Sequence, residues 1–300
     1  MITIIGSINL DLIATVDRLP APGETVPGNG FGTAPGGKGA NQALAVARAG
    51  GKVRMVGATG RDAFAGEALA LLKAGGVDLS QVRETSQPTG TALILVGGDG
   101  ENMIAVVPGA NAQVGAAAVA GIVSGDHILL QHEIPLSTVE AALDAARSAG
   151  AVTLLNTAPF RAEAAAFVGK ADYVVANETE FDHYAEALNL AGDSREQRMR
   201  SFAASTGRTV VVTLGGEGVL AATPDEFLRL DAMKITPVDT VGAGDTFCGY
   251  LAAGLSEGLS LREALRRAGT AGSLACLKPG AQPSIPSRSE VDAALASQAS

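Results

Sequence analysis

The chain is poor in the side chains that anchor metals and cross-links. Its 300 residues include two cysteines, Cys248 and Cys276, and three histidines, His127, His132 and His183. The cysteines lack any metal-ligand spacing, and two thiols make no disulfide framework. The histidines form neither an HxxxH nor an HxH pattern, which argues against a zinc site. Basic residues are outnumbered, 22 Lys and Arg against 31 Asp and Glu, for a formal charge of −9. That balance argues against a nucleic-acid backbone or an anionic membrane as the main partner. No apolar run approaches the roughly eighteen residues of a membrane span. The opening "MITIIGSINLD" lacks the basic start and long apolar run of a signal peptide and reads as a buried strand. Together these absences give the expectation of a cytoplasmic protein. What remains is an Ala- and Gly-rich composition, 47% hydrophobic and 18% charged, which suits a globular enzyme.

Short β-rich runs alternate with Ala-rich helical runs. "MITIIG", "KVRMVGATG", "DHILLQ", "VTLLN", "DYVVAN" and "TVVVTLG" read as strands. "ANQALAVARAG", "DAFAGEALALLKAGG" and "STVEAALDAARSAG" read as helices. Apolar strands alternating with helices predict a mainly parallel sheet covered on both faces. No short-period repeat or low-complexity linker appears, so the expectation is one α/β domain over residues 1–300. Two segments break the rhythm. Residues 12–35 are rich in Pro, Gly and Thr, and residues 89–108 read as two alternating strands around a Gly-Asp-Gly turn. Either they pair into a small antiparallel sheet that forms a lid over a cleft, or they add edge strands to the main sheet.

Ligands in open α/β sheets bind beyond the carboxyl ends of the strands, so the loops there carry the chemistry. "GTAPGGKGAN", Gly32 to Asn41, nearly spells the phosphate-binding pattern G-x-x-x-x-G-K-[ST], but Gly39 stands where the magnesium-binding hydroxyl belongs. A bare backbone, an ammonium at Lys38 and an amide at Asn41 remain, a set suited to a polyol; a plain Gly-rich turn is the alternative. Asp11 reads as an acceptor for hydroxyls or as a solvated loop acid. "DTVGAGDTF", Asp239 to Phe247, puts Gly242, Ala243 and Gly244 before a helix, so amide N–H groups converge on an anion. Asp245 in that turn fits a base for a hydroxyl that attacks phosphorus, or else a helix N-cap. "VVANETE" gives Asn177 and Glu180, either a capping box or a polar pair that orders magnesium-bound water. "TLGGEGVL", Thr213 to Leu220, is a hairpin turn or a loop along nucleotide phosphates.

"GSINLD", "PGGKGANQA", "NETE", "TLGGEGV", "DTVGAGDTF" and "KPGAQPSIP" follow one another along the chain, which thereby resembles the ribokinase (PfkB-type) family of carbohydrate kinases nearly end to end. The pairing of "GGKGAN" with "DTVGAGD" is the specific part. The resemblance implies a three-layer α/β/α fold with a mainly parallel sheet and a small antiparallel β lid. It implies ATP-dependent phosphorylation of D-ribose at the 5-hydroxyl, with deoxyribose, another pentose or a nucleoside as the alternative acceptor. Asn9, Asp11, Gly37, Lys38, Asn41 and Glu133 would surround the sugar, and Ala92 and Val106 would close over it. Asp245 is the implied base, and the amides of Gly242, Ala243, Gly244 and Asp245 the anion hole. Asn177, the turn of Thr213, Leu214, Gly215, Gly216, Glu217 and Gly218, and Gly244 would lie along ATP. Glu180 would organise Mg²⁺ through water. Gly269 stands where relatives often place a larger polar residue near the adenine, which implies looser nucleotide selectivity. A monovalent cation, K⁺ by the resemblance, falls to the side chains of Asp239 and Ser284 and the carbonyls of Val241, Ala275, Lys278 and Gly280. A homodimer through the lid is implied as well. Two other classes fit less well. A non-catalytic sensor would be expected to lose Asp245 or the glycine nest, and a dinucleotide oxidoreductase needs G-x-G-x-x-G after the first strand.

Overall fold

Strands with no polar face must be covered on both sides, and this requirement sets the architecture. The computed structural model describes residues 1–298. Its first half runs β1 (Ile2–Ile5), β2 (Asn9–Val16), β3 (Gly28–Gly36), α1 (Lys38–Arg48), β4 (Val53–Gly60), α2 (Ala63–Ala68), α3 (Ala70–Ala74), β5 (Asp78–Thr85), β6 (Gly90–Val96) and β7 (Asn102–Val107). The second half runs β8 (His127–Leu130), α4 (Leu136–Ala149), β9 (Val152–Asn156), β10 (Tyr173–Asn177), α5 (Glu178–Ala187), α6 (Arg195–Thr206), β11 (Thr209–Thr213), β12 (Val219–Ala222), β13 (Phe227–Leu230), α7 (Ala243–Ser256), α8 (Leu261–Ala275), α9 (Ala281–Ser284) and α10 (Arg288–Gln298).

Nine strands form the main sheet in the order β13-β12-β11-β10-β9-β8-β1-β4-β5. All pairs from β11 to β5 are parallel, and β12 and β13 append an antiparallel edge. Side chains alternate across it with the two-residue period of a strand. Ile4, Leu129, Val175 and Val211 pack with α1, α7 and α8 on one face. Ile5, Leu130, Val174 and Val212 pack with α4, α5 and α6 on the other. The result is the three-layer α/β/α arrangement expected from the sequence. The strand order turns outward in both directions from β1 and β8, so the crevice for a ligand lies at their carboxyl ends.

The two segments that broke the helical rhythm do not join the main sheet. They pair with each other as a separate four-stranded sheet, β3-β2-β6-β7. Its outer pairs are antiparallel, whereas the central pair, β2 and β6, is parallel. The expected helix at 62–76 is divided into α2 and α3 at Leu69.

The contact between α1 and α7 fixes the crevice floor. A Cβ added at Gly249 of α7 would lie 2.5 Å from Cβ of Ala45 and 2.7 Å from the carbonyl oxygen of Gln42, both on α1. Only a residue without a side chain allows this approach. Gly249→Ala is expected to lower stability by about 1–3 kcal/mol through overpacking, read as a lower denaturant midpoint. An unchanged midpoint would show that the two helices separate freely.

Candidate active site

The loop after β1 turns over the start of α1. Gly37 is the N-cap of α1 with φ 88°, and a Cβ there would lie 2.8 Å from the backbone nitrogen of Asn9. The two loops therefore touch through bare backbone, and Lys38 becomes the first residue of the helix. The carboxylate of Glu133, on the loop after β8, accepts from the Ser7 hydroxyl and, at 3.0 Å, from the Lys38 backbone N–H. The predicted sugar residues Asn9, Gly37, Lys38 and Glu133 thus meet at the switch between β1 and β8.

Asp11 joins them from the small sheet. It pairs in register with Ala34 on β3 and Ala92 on β6, and Ala92 pairs with Val106 on β7. Asp11, Ala92 and Val106 accordingly share one row, with Ala92 buried and Val106 half exposed. Burial, reinforced by the neighbouring charges of Glu133 and Asp245, raises the Asp11 carboxyl from 3.8 to about 6. For Lys38, burial alone would disfavour the charge. The carboxylates of Asp245, Glu133 and Glu180 outweigh it and hold the ammonium above its ordinary 10.5.

Asp245 is not an N-cap. Gly242 takes that position with φ 77°, and Asp245 is the third residue of α7. Its Oδ2 accepts from Asn41 Nδ2 at 2.8 Å and its Oδ1 from Gln42 Nε2 at 2.9 Å. Asn41 Oδ1 is buried without a protein partner, an acceptor suited to a ligand hydroxyl. Early N–H groups of a helix have no intrahelical acceptor. In α7 the Ala243 N–H leans on Thr240 O at 3.3 Å, which leaves Gly244 and Asp245 as the free part of the nest. Nothing would obstruct a Cβ at Gly244 within 4 Å, so a ligand can approach that backbone closely.

The remaining positions line the same end of the sheet. Asn177 and Glu180 form a complete capping box, with Asn177 Oδ1 accepting from Glu180 N–H and Glu180 Oε2 accepting from Asn177 N–H. The box engages Oε2 alone of the Glu180 carboxylate, and Glu180 is otherwise nearly buried. Asn177 pairs in register with Thr213 at the end of β11. The residues that follow, Leu214 to Gly218, make the hairpin turn into β12, closed by Leu214 N–H to Gly218 O at 2.8 Å. Gly269 lies one turn before Gly272 on α8, and Gly272 packs toward Ala243. A side chain at Gly269 would meet nothing within 4 Å.

Asp239 links two of the other cation positions, Val241 and Gly280. Its Oδ1 accepts from Val241 N–H at 3.0 Å and its Oδ2 from Gly280 N–H at 2.8 Å. A Cβ at Gly242 would lie 2.8 Å from the Cα of Ala281, so the turn before α7 sits directly on the turn before α9. Ala275 ends α8, Lys278 follows in the loop toward Gly280, and the buried Ser284 hydroxyl donates to Ala281 O at 2.9 Å. One carboxylate with backbone carbonyls is an oxygen set that fits a monovalent cation.

Several residues at the site carry no motif signal of their own. Asn111 is buried and donates to Asn9 Oδ1 at 2.7 Å, which turns the Asn9 amide N–H outward. Asn9, Asn111, Val106, Glu133 and Arg161 line a cavity of about 320 Å³ together with His132. Burial drives the His132 imidazole down to about 4, and its Nδ1 donates toward the carbonyls of Thr157 and Pro159. A larger cavity, about 490 Å³, lies against α2, α3 and β5 and contains none of the predicted site residues.

Comparison with known proteins agrees with this geometry. The profile of pfkB family carbohydrate kinases matches residues 1–288. A ribokinase of Lactococcus lactis is 38% identical, covering 98% of this chain and 96% of its own. The crystal structure of a ribokinase from Thermotoga maritima superposes with a TM-score of 0.91 at 33% identity, covering 98% of this chain and 99% of its own. An Arabidopsis thaliana ribokinase, solved with ribose and ATP, gives 0.86 at 32% identity over 98% of both chains. The family match over residues 1–288 and 38% identity across nearly the whole chain lead to one placement: this chain belongs to the pfkB family of carbohydrate kinases and is a phosphotransferase.

Proposed function

We propose that the chain transfers the γ-phosphoryl group of ATP to the 5-hydroxyl of D-ribose. The observation that carries this reading is the carboxylate of Asp245, held in the first turn of α7 and tied to Asn41 of the sugar loop. Asp245 takes the proton of the 5-hydroxyl as that oxygen bonds to phosphorus, and the bond to the ADP oxygen breaks. The Gly244 and Asp245 amides, at the positive end of the α7 dipole, stabilise charge on the phosphoryl oxygens. Asp11, Glu133 and the Asn41 amide oxygen accept from sugar hydroxyls, while Asn9 and Lys38 donate. The small sheet acts as a lid, with Ala92 and Val106 as its apolar contacts over the sugar. The hairpin turn from Thr213 to Gly218 and Asn177 follow the phosphates of ATP, and the open surface at Gly269 receives the adenine.

Glu180 Oε1 would hold water around Mg²⁺, which when bound neutralises the phosphates of ATP. K⁺ would sit among Asp239, Ser284 and the carbonyls of Val241, Ala275, Lys278 and Gly280. There it would brace the turn from Val241 to Asp245 without touching substrate. The lid carries exposed Phe31, Leu93, Met103 and Ile104, an apolar surface that suits a homodimer made through the lids.

Asp245→Asn is expected to reduce turnover by about 10²–10⁴ while ribose and ATP binding persist, as read by coupled ADP release and calorimetry across a panel with ribose, deoxyribose and nucleosides. Wild-type turnover in this variant would remove Asp245 from the chemistry.

Ribose affinity is expected to depend on the Asp11 carboxylate. Burial raises its pKa to about 6. Its charge therefore weakens the folded state as pH rises through about 6, and that cost is absent below the ordinary 3.8. Below about 6 the group is protonated and loses acceptor capacity, so ribose binding should weaken between pH 7.5 and 5. Asp11→Asn should bind ribose weakly with a flat profile. A wild-type profile that is also flat would exclude Asp11 as the acceptor.

Turnover at saturating ribose and Mg-ATP is expected to rise with KCl more than with NaCl, against a choline control. Asp239→Ala should lose that response along with much of the basal rate, because both turns lose their shared anchor. An equal response to all three salts, in protein freed of potassium, would leave Asp239 as a structural loop acid.

A further inference from the structure

The carboxylate of Asp245 has to present one oxygen to the attacking hydroxyl, and a carboxylate in a helical first turn has rotational freedom about its side chain. Two amides restrain it. Asn41 holds Oδ2, yet Asn41 is itself a predicted sugar ligand, so that contact is shared with substrate. The other restraint is not shared. Gln42 Nε2 donates to Asp245 Oδ1 at 2.9 Å and also lies 3.2 Å from Asn156 Oδ1. Gln42 is fully buried, out of reach of any ligand.

The orientation of the Gln42 amide is fixed from behind. Gln131, also fully buried, donates from Nε2 to Gln42 Oε1. With its oxygen engaged there, Gln42 must turn its N–H groups toward Asp245. Room for this second amide comes from Gly6, where a Cβ would lie 2.1 Å from Gln131 Oε1. The chain Gln131–Gln42–Asp245 crosses three elements, from the end of β8 through α1 to α7. Buried amides are costly unless bonded, and α1 meets α7 through small residues such as Ala45 and Gly249. Packing alone gives no reason for a glutamine at this contact.

We infer that Gln42 is a positioning residue for phosphoryl transfer. It pins Oδ1 of Asp245 inward and leaves Oδ2, on the sugar-loop side, to receive the 5-hydroxyl proton. Gln131 sets the direction of that hydrogen bond. The inference rests on the reading of Asp245 as the base and names what aims it.

The test compares Gln42→Met and Gln131→Met with Asp245→Asn. Methionine keeps the volume and removes the amide. Gln42→Met is expected to lower kcat by about 10–100-fold, as a misplaced catalytic group does, with KM for ribose and ATP changed less than about twofold. Gln131→Met should move kcat in the same direction by a smaller factor, and it serves where Gln42→Met does not fold. Thermal melting and ribose calorimetry run alongside. Wild-type kcat in both glutamine variants, with Asp245→Asn inactive, overturns the positioning role. A fall in melting temperature with kcat and ribose affinity lost in proportion also overturns it, because that is the signature of a structural contact. Full turnover by Asp245→Asn would instead overturn the base reading itself, which the glutamine variants cannot do.

Discussion

Everything at the crevice depends on how closely α1 and α7 approach. The two helices begin at different loops, one reading "GGKGAN" and the other "GAGD". Their side-by-side packing brings the starts of both loops to one point. The hydrogen bonds from Asn41 and Gln42 to Asp245 form because Gly249 lets the backbones close up. Asn41 and Gln42 of the first loop thereby reach the one carboxylate of the second. The main sheet adds the rest of the frame, since β1 and β8 end beneath that contact and carry Asn9 and Glu133 into it.

Electrostatics follow from the same closeness. Asp11, Glu133, Asp245 and Glu180 all act on the single ammonium of Lys38 or on one another. Negative charge exceeds positive charge there, which raises Asp11 and holds Lys38 charged. A neutral polyol with many hydroxyl donors is the ligand such a site accommodates best. The start of α7 differs, because the backbone N–H groups of Gly244 and Asp245 have no backbone acceptor there and suit an anion.

The main strands are legible in the sequence because β1, β8, β10 and β11 are nearly continuous apolar runs. The chemistry-bearing loops are legible because glycines sit beside Asp, Asn and Lys at the ends of strands, where open α/β sheets bind ligands. β5 is not legible. "DLSQVRET" is an edge strand whose Leu79 and Val82 are too sparse to set a period. Nor is the parallel pairing of β2 with β6, because register between segments distant in sequence leaves no local trace. Gln42, Gln131 and Asn111 escape notice for another reason. An amide in an apolar pattern reads as a surface residue, and only the folded chain reveals that all three are buried, Gln42 bonded to Asp245, Asn111 to Asn9 and Gln131 to Gln42. The Asn177–Glu180 pair shows the reverse. It is legible as a capping box, the box forms, and its other oxygen stays available for a second role.

The small sheet is rooted along one line. Gly36, Asn9 and Gly90 stand side by side where β3 ends and β2 and β6 begin, and Val107 at the end of β7 lies one register step away. All of its connections to the main body therefore leave from one edge, like a page bound along its spine. Away from that edge the sheet also rests on α2, where the Thr33 hydroxyl donates to Glu67. Asp11 and Val106, on different strands but in the same row, are tied through Ala92, so a displacement of one carries the other with it.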